Sequence, residues 1–203
     1  MTLRPVIMPV SGDVQRLSGR DKVAALSECA RQALRLSADK AGVILGGLRK
    51  DNDDIPLPFG DYHWSVSHKP KYVAAVIGPG RMGIDVEEIE PRRENIFGYV
   101  AGDAEWSLFG GQSWDSLYRC WTAKEAVLKS TGTGLAGLKS CRVVDVRDDA
   151  NITLLFDGRL HRVEQLRHDS HIISVLKGDD LVEWVVLDHP AELMSGLPMN
   201  RLT

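Results

Sequence analysis

The sequence contains no continuous apolar run of the roughly 18 residues that a membrane-spanning helix needs. Its longest mostly apolar stretches, Tyr72–Ile77 and Leu181–Leu187, have the length of a strand. The N-terminal stretch Met1–Val10 contains Pro5 and Pro9 and lacks the basic-then-apolar order of a secretory signal. We therefore expect no membrane span and no secretory segment.

Cysteine is scarce, with Cys29, Cys120 and Cys141 far apart in 203 residues. An odd number of widely spaced thiols fits neither a disulfide framework nor a Cys-x-x-Cys metal site. We expect small core residues in a cytoplasmic protein.

An excess of basic charge is also absent, because 25 Lys and Arg face 28 Asp and Glu, for a net charge of -3. Residues 1–100 carry 14 basic and 13 acidic side chains, and residues 101–203 carry 11 and 15. Neither part is the basic module that binding to a phosphate backbone needs, which argues against nucleic acid as a partner. The 43% hydrophobic and 26% charged residues indicate a globular chain.

Apolar periodicity predicts a helix over Ser18–Leu36, followed by an exposed loop over Arg49–Pro58. Three extended segments then predict an antiparallel meander: His63–Ser67, Tyr72–Ile77 and Met82–Glu87.

After Pro91 the pattern predicts helices over Arg93–Val100, Asp103–Phe109 and Trp114–Ser130. Strands are predicted over Cys141–Arg147, Asn151–Phe156, Arg159–Leu166, Ile172–Lys177 and Leu181–Leu187, with a hairpin turn at Asp157-Gly158. The order of elements predicts an α+β fold with two related halves, residues 1–91 and 92–203, in one compact unit.

Two carboxylates stand on one predicted strand, in the segment Gly83-Ile84-Asp85-Val86-Glu87. Side chains alternate along a strand, so Asp85 and Glu87 share one face, and Ile84 and Val86 enter the core on the other. Paired carboxylates repel each other unless a cation neutralises them. The alternative is a solvated edge that only extends an acidic run.

The long helix carries Trp121-Thr122-Ala123-Lys124-Glu125-Ala126-Val127-Leu128-Lys129. Glu125 and Lys129 are four residues apart and lie on one face, with Trp121 one turn earlier. This pattern fits a surface ion pair, or a carboxylate for a metal beside a cation for a phosphate. Ser67 and His68, at a strand end before Lys69-Pro70, could receive a phosphate, although a histidine there is also an ordinary turn residue.

The joint order of Ser-Val-Ser-His, Gly-Ile-Asp-Val-Glu and Trp-Thr-Ala-Lys-Glu-Ala-Val-Leu-Lys resembles the signature of the Sfp-type 4′-phosphopantetheinyl transferases. Matching segments span roughly residues 55–135 and include Pro91 and Glu105. The resemblance implies a pseudo-dimeric α+β fold, with two similar α/β halves and the active site in the cleft between them. It also implies transfer of 4′-phosphopantetheine from coenzyme A to a serine of an apo carrier protein, with release of 3′,5′-ADP.

The resemblance implies site roles by position. Asp85, Glu87 and Glu125 would hold Mg²⁺ or Mn²⁺, Lys129 would contact the pyrophosphate, and Ser67 and His68 would hold the 3′-phosphate of coenzyme A. Lys124 would also help to bind coenzyme A. Glu125, or a water next to it, is the candidate base for the carrier serine, so that the catalytic set is Asp85, Glu125 and Lys129.

This chain lacks the Gly-Lys-Pro motif that family members commonly carry before the Ser-x-Ser-His element. Arg49 or Lys50 is expected to replace that lysine. The alternatives to the transferase are a catalytically weak relative that binds coenzyme A or a carrier, and a Mg²⁺-dependent nuclease or phosphohydrolase. Carrier proteins are acidic, so Arg92, Arg93 and Arg119 are candidate docking residues, and a chain with two halves is expected to act as a monomer.

Overall fold

The computed structural model describes residues 1–51 and 55–189, so residues 52–54 of the predicted loop lie outside the described part. The first elements are β1 (Thr2–Leu3), β2 (Val6–Pro9), α1 (Gly12–Arg16), α2 (Gly19–Lys40), β3 (Tyr62–His68), β4 (Tyr72–Pro79) and β5 (Ile84–Glu88). Helix α2 confirms the predicted amphipathic helix. It begins after Ser18 with Asp21 in its first turn, and buries Leu26, Ala30 and Leu34 on one face.

The remaining elements are α3 (Ile96–Val100), α4 (Asp103–Leu108), α5 (Trp114–Thr131), a 3₁₀ turn (Gly134–Gly137), β6 (Arg142–Val146), β7 (Asn151–Phe156), β8 (Arg159–His168), β9 (His171–Leu176), β10 (Leu181–Val182) and β11 (Val185–Val186). Helix α5 begins where Ser113 accepts a hydrogen bond from the Ser116 amide and ends at Gly132, whose φ is 71°. The predicted Asp157-Gly158 turn joins β7 to β8, and both of its residues have positive φ.

Two sheets, one mixed and one antiparallel, organise the described residues. Strands β11-β2-β4-β3 form a four-stranded sheet, in which β11 runs parallel to β2, and β5-β9-β8-β7-β6 form a five-stranded sheet. A separate parallel pair joins β1 to β10.

The predicted three-strand meander is wrong in its third strand. Strand β4 pairs with β2 on one side and β3 on the other, so it has no free edge for β5. Strand β5 instead pairs antiparallel with β9, with Asp85 opposite Ser174. The single strand predicted over Leu181–Leu187 is also wrong, because its two ends pair with β1 and β2 as separate short strands.

The side chains of β4 alternate between two cores. Val73, Ala75 and Ile77 pack with α2, whereas Ala74 and Val76 pack with residues of β5 and β9 in a core between the two sheets. Helix α5 covers the other face of the five-stranded sheet, with Leu117, Val127 and Leu128 in a third core. The order of layers is therefore helix, sheet, sheet, helix.

This arrangement is a mixed α+β fold, as predicted. Strand β5 lies before residue 91 and joins the second sheet, and β11 lies after it and joins the first. The division into halves at residues 1–91 and 92–203 stays a prediction. Every helix in the described part of the chain is too short or too polar to span a bilayer.

Candidate functional site

A close backbone contact between β5 and α5 forms the base of the candidate site. A Cβ at Gly83 would lie 1.8 Å from the Ala126 carbonyl oxygen, so only glycine fits there. The contact brings the strand that carries Asp85 and Glu87 against the helix that carries Glu125 and Lys129.

Strand alternation sorts the β5 side chains as the sequence predicts. Ile84 and Val86 are buried between the sheets, while Asp85 and Glu87 contact side chains of α5. Asp85 is 4% exposed and Glu87 is 7% exposed. The alternative of a solvated acidic edge is therefore wrong for these two residues.

Asp85 is held by side chains of two neighbouring elements, β3 and α5. Its Oδ1 accepts a hydrogen bond from Ser67 Oγ at 2.8 Å and a charged one from Lys129 Nζ at 2.7 Å. The second oxygen, Oδ2, is buried without a hydrogen-bond partner. Lys129 also donates to the Ile84 carbonyl oxygen at 3.1 Å, so its ammonium is anchored beside β5.

Glu87 has partners at both carboxylate oxygens. Trp121 Nε1 donates to Oε1 at 3.2 Å, and Lys69 Nζ lies 2.7 Å from Oε2. Arg92 lies farther from Oε2, at 3.9 Å. Burial, followed by the nearby Asp85 charge, raises the pKa of Glu87.

Glu125 is half-buried on α5, and its Oε1 has no hydrogen-bond partner. Burial, followed by the charge of Asp85, raises the pKa of Glu125 to about 7. The alternative of a simple surface ion pair between Glu125 and Lys129 does not describe this site, because Lys129 donates to Asp85.

The donor set suits a hard divalent cation. Carboxylate oxygens are its preferred ligands, and Asp85 Oδ2 and Glu125 Oε1 are buried acceptors that lack a donor. Within residues 1–51 and 55–189, no group of three or more His, Cys, Asp or Glu side chains forms a ready-made metal cluster. Asp85 is instead held by Lys129, and Glu87 by Lys69 and Trp121. A cation there would replace some of these contacts.

A cleft of about 450 Å³ opens beside Glu125 and Lys129. Its wall includes Lys50, Ile55, Ser65, Val66 and Gly132.

His68 is half-buried near this cleft. Burial lowers the pKa of His68, and the charges of Lys129, Lys69 and Lys50 lower it further. The positive charges of three lysines therefore act on the His68 ring, a setting suited to an anion. Arg49 is exposed, and only its backbone carbonyl has a described hydrogen bond, from the Leu57 amide.

Lys124 has a different setting from the other lysines. It is 0% exposed, and its Nζ donates to the Val100 carbonyl oxygen at 2.7 Å and to Glu105 Oε1 at 2.8 Å. Glu105 also accepts a hydrogen bond from the Val143 amide. These contacts tie α5 to α3, α4 and β6 and use the ammonium for structure. Its predicted contact with coenzyme A stays a prediction.

The three arginines proposed for docking divide into two groups. Arg92 and Arg93 are exposed and line a groove of about 410 Å³ with Ile96 and Tyr99. Arg119 is buried and donates to Gln165 Oε1 and the Asp148 carbonyl oxygen. The prediction for Arg119 as a surface docking residue is therefore wrong.

Sequence reasoning missed Lys69 and the hydrogen bond from Trp121. Lys69 directly follows the Ser67-His68 element, but nothing in the sequence links it to Glu87. Their pairing depends on the contact between β3 and β5, two edge strands of different sheets.

Comparison with known proteins gives a family match over the part of the chain that carries these residues. The family model of the 4′-phosphopantetheinyl transferase superfamily matches residues 81–180, which include Asp85, Glu87, Glu125 and Lys129. The match and the relatives below confirm that the chain resembles this superfamily, as the motifs predict.

Two curated relatives share that description. A 4'-phosphopantetheinyl transferase of Bacillus subtilis is 27% identical over 168 residues, covering 80% of this chain and 70% of that protein. A Haemophilus influenzae protein named "Putative 4'-phosphopantetheinyl transferase" is 26% identical over 142 residues. That alignment covers 66% of this chain and 60% of the relative.

Proposed function

We propose that the protein transfers the 4′-phosphopantetheine moiety of coenzyme A to a serine of an apo carrier protein and releases 3′,5′-ADP. The observation that carries this proposal is the contact of Gly83 with α5, which brings the strand of Asp85 and Glu87 against the helix of Glu125 and Lys129. Glu125 and Lys129 line the cleft beside it. The names of the relatives support the same reaction.

The proposed metal ligands are Asp85, Glu87 and Glu125, and the ion is Mg²⁺, which Mn²⁺ can replace. The two buried oxygens without partners, Asp85 Oδ2 and Glu125 Oε1, support this assignment. When bound, the cation neutralises charge on the pyrophosphate of coenzyme A, which is the main requirement of phosphoryl transfer.

Side chains of the protein are proposed to bind coenzyme A and to accept the proton of the carrier serine. Lys129 contacts the pyrophosphate, and Ser67 and His68, with Lys50, hold the 3′-phosphate side of coenzyme A. Glu125 accepts the proton of the carrier serine as the new bond from serine oxygen to phosphorus forms and the bond to 3′,5′-ADP breaks.

The acidic carrier would dock on the groove of Arg92 and Arg93. Arg92 lies 3.9 Å from Glu87, so this groove borders the site. Opposite charge favours the approach of an acidic partner and sets its orientation. One chain is proposed to be sufficient, so the protein acts as a monomer.

The test is to incubate the protein with coenzyme A, Mg²⁺ and an apo carrier protein and to measure the intact mass of the carrier. A gain of one phosphopantetheine supports the proposal. No gain with several carriers, while coenzyme A still binds, would overturn it in favour of a binding relative. Metal-dependent cleavage of nucleic acid or a phosphoester, without carrier modification, would overturn it in favour of a hydrolase.

A further inference from the structure

The ammonium of Lys69 forms an ion pair with Glu87, a carboxylate that the proposed function assigns to a metal. Its Nζ lies 2.7 Å from Glu87 Oε2, while Trp121 holds Oε1. Glu87 thus has both oxygens engaged, in contrast to Asp85 and Glu125, each of which keeps one buried oxygen without a partner. A cation at Glu87 Oε2 would stand beside the ammonium of Lys69, which is 2.7 Å from that oxygen, and the repulsion between the two positive charges favours displacement of Lys69.

The negative charges of Asp85 and Glu87 explain why the ammonium of Lys69 lies beside Glu87. Asp85 and Glu87 point to the same side of β5 and are almost fully buried, so their repulsion needs counter-charges. Lys129 supplies one at Asp85, and Lys69 supplies the other at Glu87. Arg92 is a weaker neighbour at 3.9 Å.

The side chain of Lys69 can move away from Glu87 without a shift of the backbone. Its backbone amide is fixed by a hydrogen bond to the Tyr72 carbonyl oxygen, whereas its side chain is 30% exposed. The long flexible stem lets the ammonium change position while the backbone stays in place. Lys69 also directly follows His68, and its charge already acts on that ring.

We propose that Lys69 exchanges partners: its ammonium neutralises Glu87 in the metal-free protein and moves to the phosphate side beside His68 when a divalent cation binds. The exchange rests on the proposed function, because it assumes a cation at Glu87 and a phosphate near His68. Lys69 thereby links metal binding to binding of the anionic co-substrate, and linkage of this kind acts in both directions.

Direct binding of Mn²⁺ tests the first half of the exchange. Titration of the Lys69→Met variant, followed by the electron paramagnetic resonance of free Mn²⁺, should show a Kd about three- to tenfold lower than that of the unsubstituted protein. Lys71→Met is the matched control, because Lys71 pairs with the adjacent Glu88. Its Kd should stay within about twofold of the unsubstituted value.

Binding of 3′,5′-ADP tests the second half. Saturating Mn²⁺ should tighten 3′,5′-ADP binding in the unsubstituted protein and in Lys71→Met, and should tighten it less in Lys69→Met. An unchanged or higher Mn²⁺ Kd in folded Lys69→Met would overturn the exchange. If the unsubstituted protein modifies carriers in the same preparation, only the exchange fails. No Mn²⁺ binding by the unsubstituted protein, with or without 3′,5′-ADP, would overturn both the exchange and the proposed metal site.

Discussion

Gly83 lies so close to Ala126 that an added Cβ would stand 1.8 Å from the Ala126 carbonyl oxygen. The Ala126 carbonyl is part of the α5 backbone and cannot retreat without bending the helix. This contact sets how near Asp85 and Glu87 come to Glu125 and Lys129. The geometry of the whole site therefore depends on a residue without a side chain.

Gly83→Ala should destabilise the fold and disturb the site. Separating β5 from α5 opens packing in two cores, so we expect a loss of about 3 kcal/mol in the free energy of unfolding. Urea unfolding measures it. Gly98→Ala is the control, because a Cβ at Gly98 meets nothing within 4 Å and its helix is exposed there. Equal stability of the two variants would contradict the role given to this contact.

Lys124→Met should lower the free energy of unfolding and have little effect on the affinity for coenzyme A. The substitution leaves Glu105 without its buried counter-ion, which costs about 3 kcal/mol. Glu105→Gln in the same chain should restore part of that loss, because glutamine keeps an acceptor for the Val143 amide. If the Lys124 ammonium serves only its contacts with Val100 and Glu105, the folded variant binds coenzyme A as before in calorimetry. A small loss of stability with much weaker coenzyme A binding would instead assign Lys124 to the ligand.

Glu125→Gln should raise the stability of the metal-free protein and abolish carrier modification. Burial and the Asp85 charge disfavour the ionised Glu125, so a neutral amide should raise metal-free stability by about 1 kcal/mol at pH 8, a value reduced for partial solvent screening. The same variant should lose carrier modification, because it has neither the base nor a charged metal ligand. Urea unfolding and carrier mass measure the two effects. Normal turnover with Mg²⁺ and coenzyme A would contradict the role of Glu125.

The sequence was informative where one segment determines its own geometry. Helix α5, the β7–β8 hairpin and the alternation of Asp85 with Ile84 follow from local patterns, and all three are confirmed. Strand pairing was harder, because whether β5 joins β4 or β9 depends on which edges are already occupied. The burial of Arg119 and the pairing of Lys69 with Glu87 join residues far apart in the chain, and no local pattern encodes them.

His171 should make the fold sensitive to acid. The side chain is 1% exposed, and neither ring nitrogen has a hydrogen-bond partner. Burial lowers the pKa of His171 below its usual 6.5; Glu88 and Asp169 oppose this shift, and Lys71 and His168 add to it. The unfolded chain therefore takes up the proton first, and stability falls as pH drops through about 6.5.

His171→Leu should reduce that pH dependence. Urea midpoints of both proteins at pH 7.5, 6.5 and 5.5 measure it, at roughly one-unit steps around the ordinary histidine pKa. We expect the midpoint of the unsubstituted protein to fall more than that of the variant over this range. Parallel midpoints across the three pH values would show that His171 contributes no acid sensitivity.

The most direct test of the account is one reaction that follows both products. The protein, coenzyme A, Mg²⁺ and an apo carrier are combined, and the carrier mass and the amount of 3′,5′-ADP are measured at successive times. We expect one phosphopantetheine per carrier, an equal amount of 3′,5′-ADP, and neither product with Glu125→Gln. An unmodified carrier beside intact coenzyme A, with several carriers tried, would contradict the central claim.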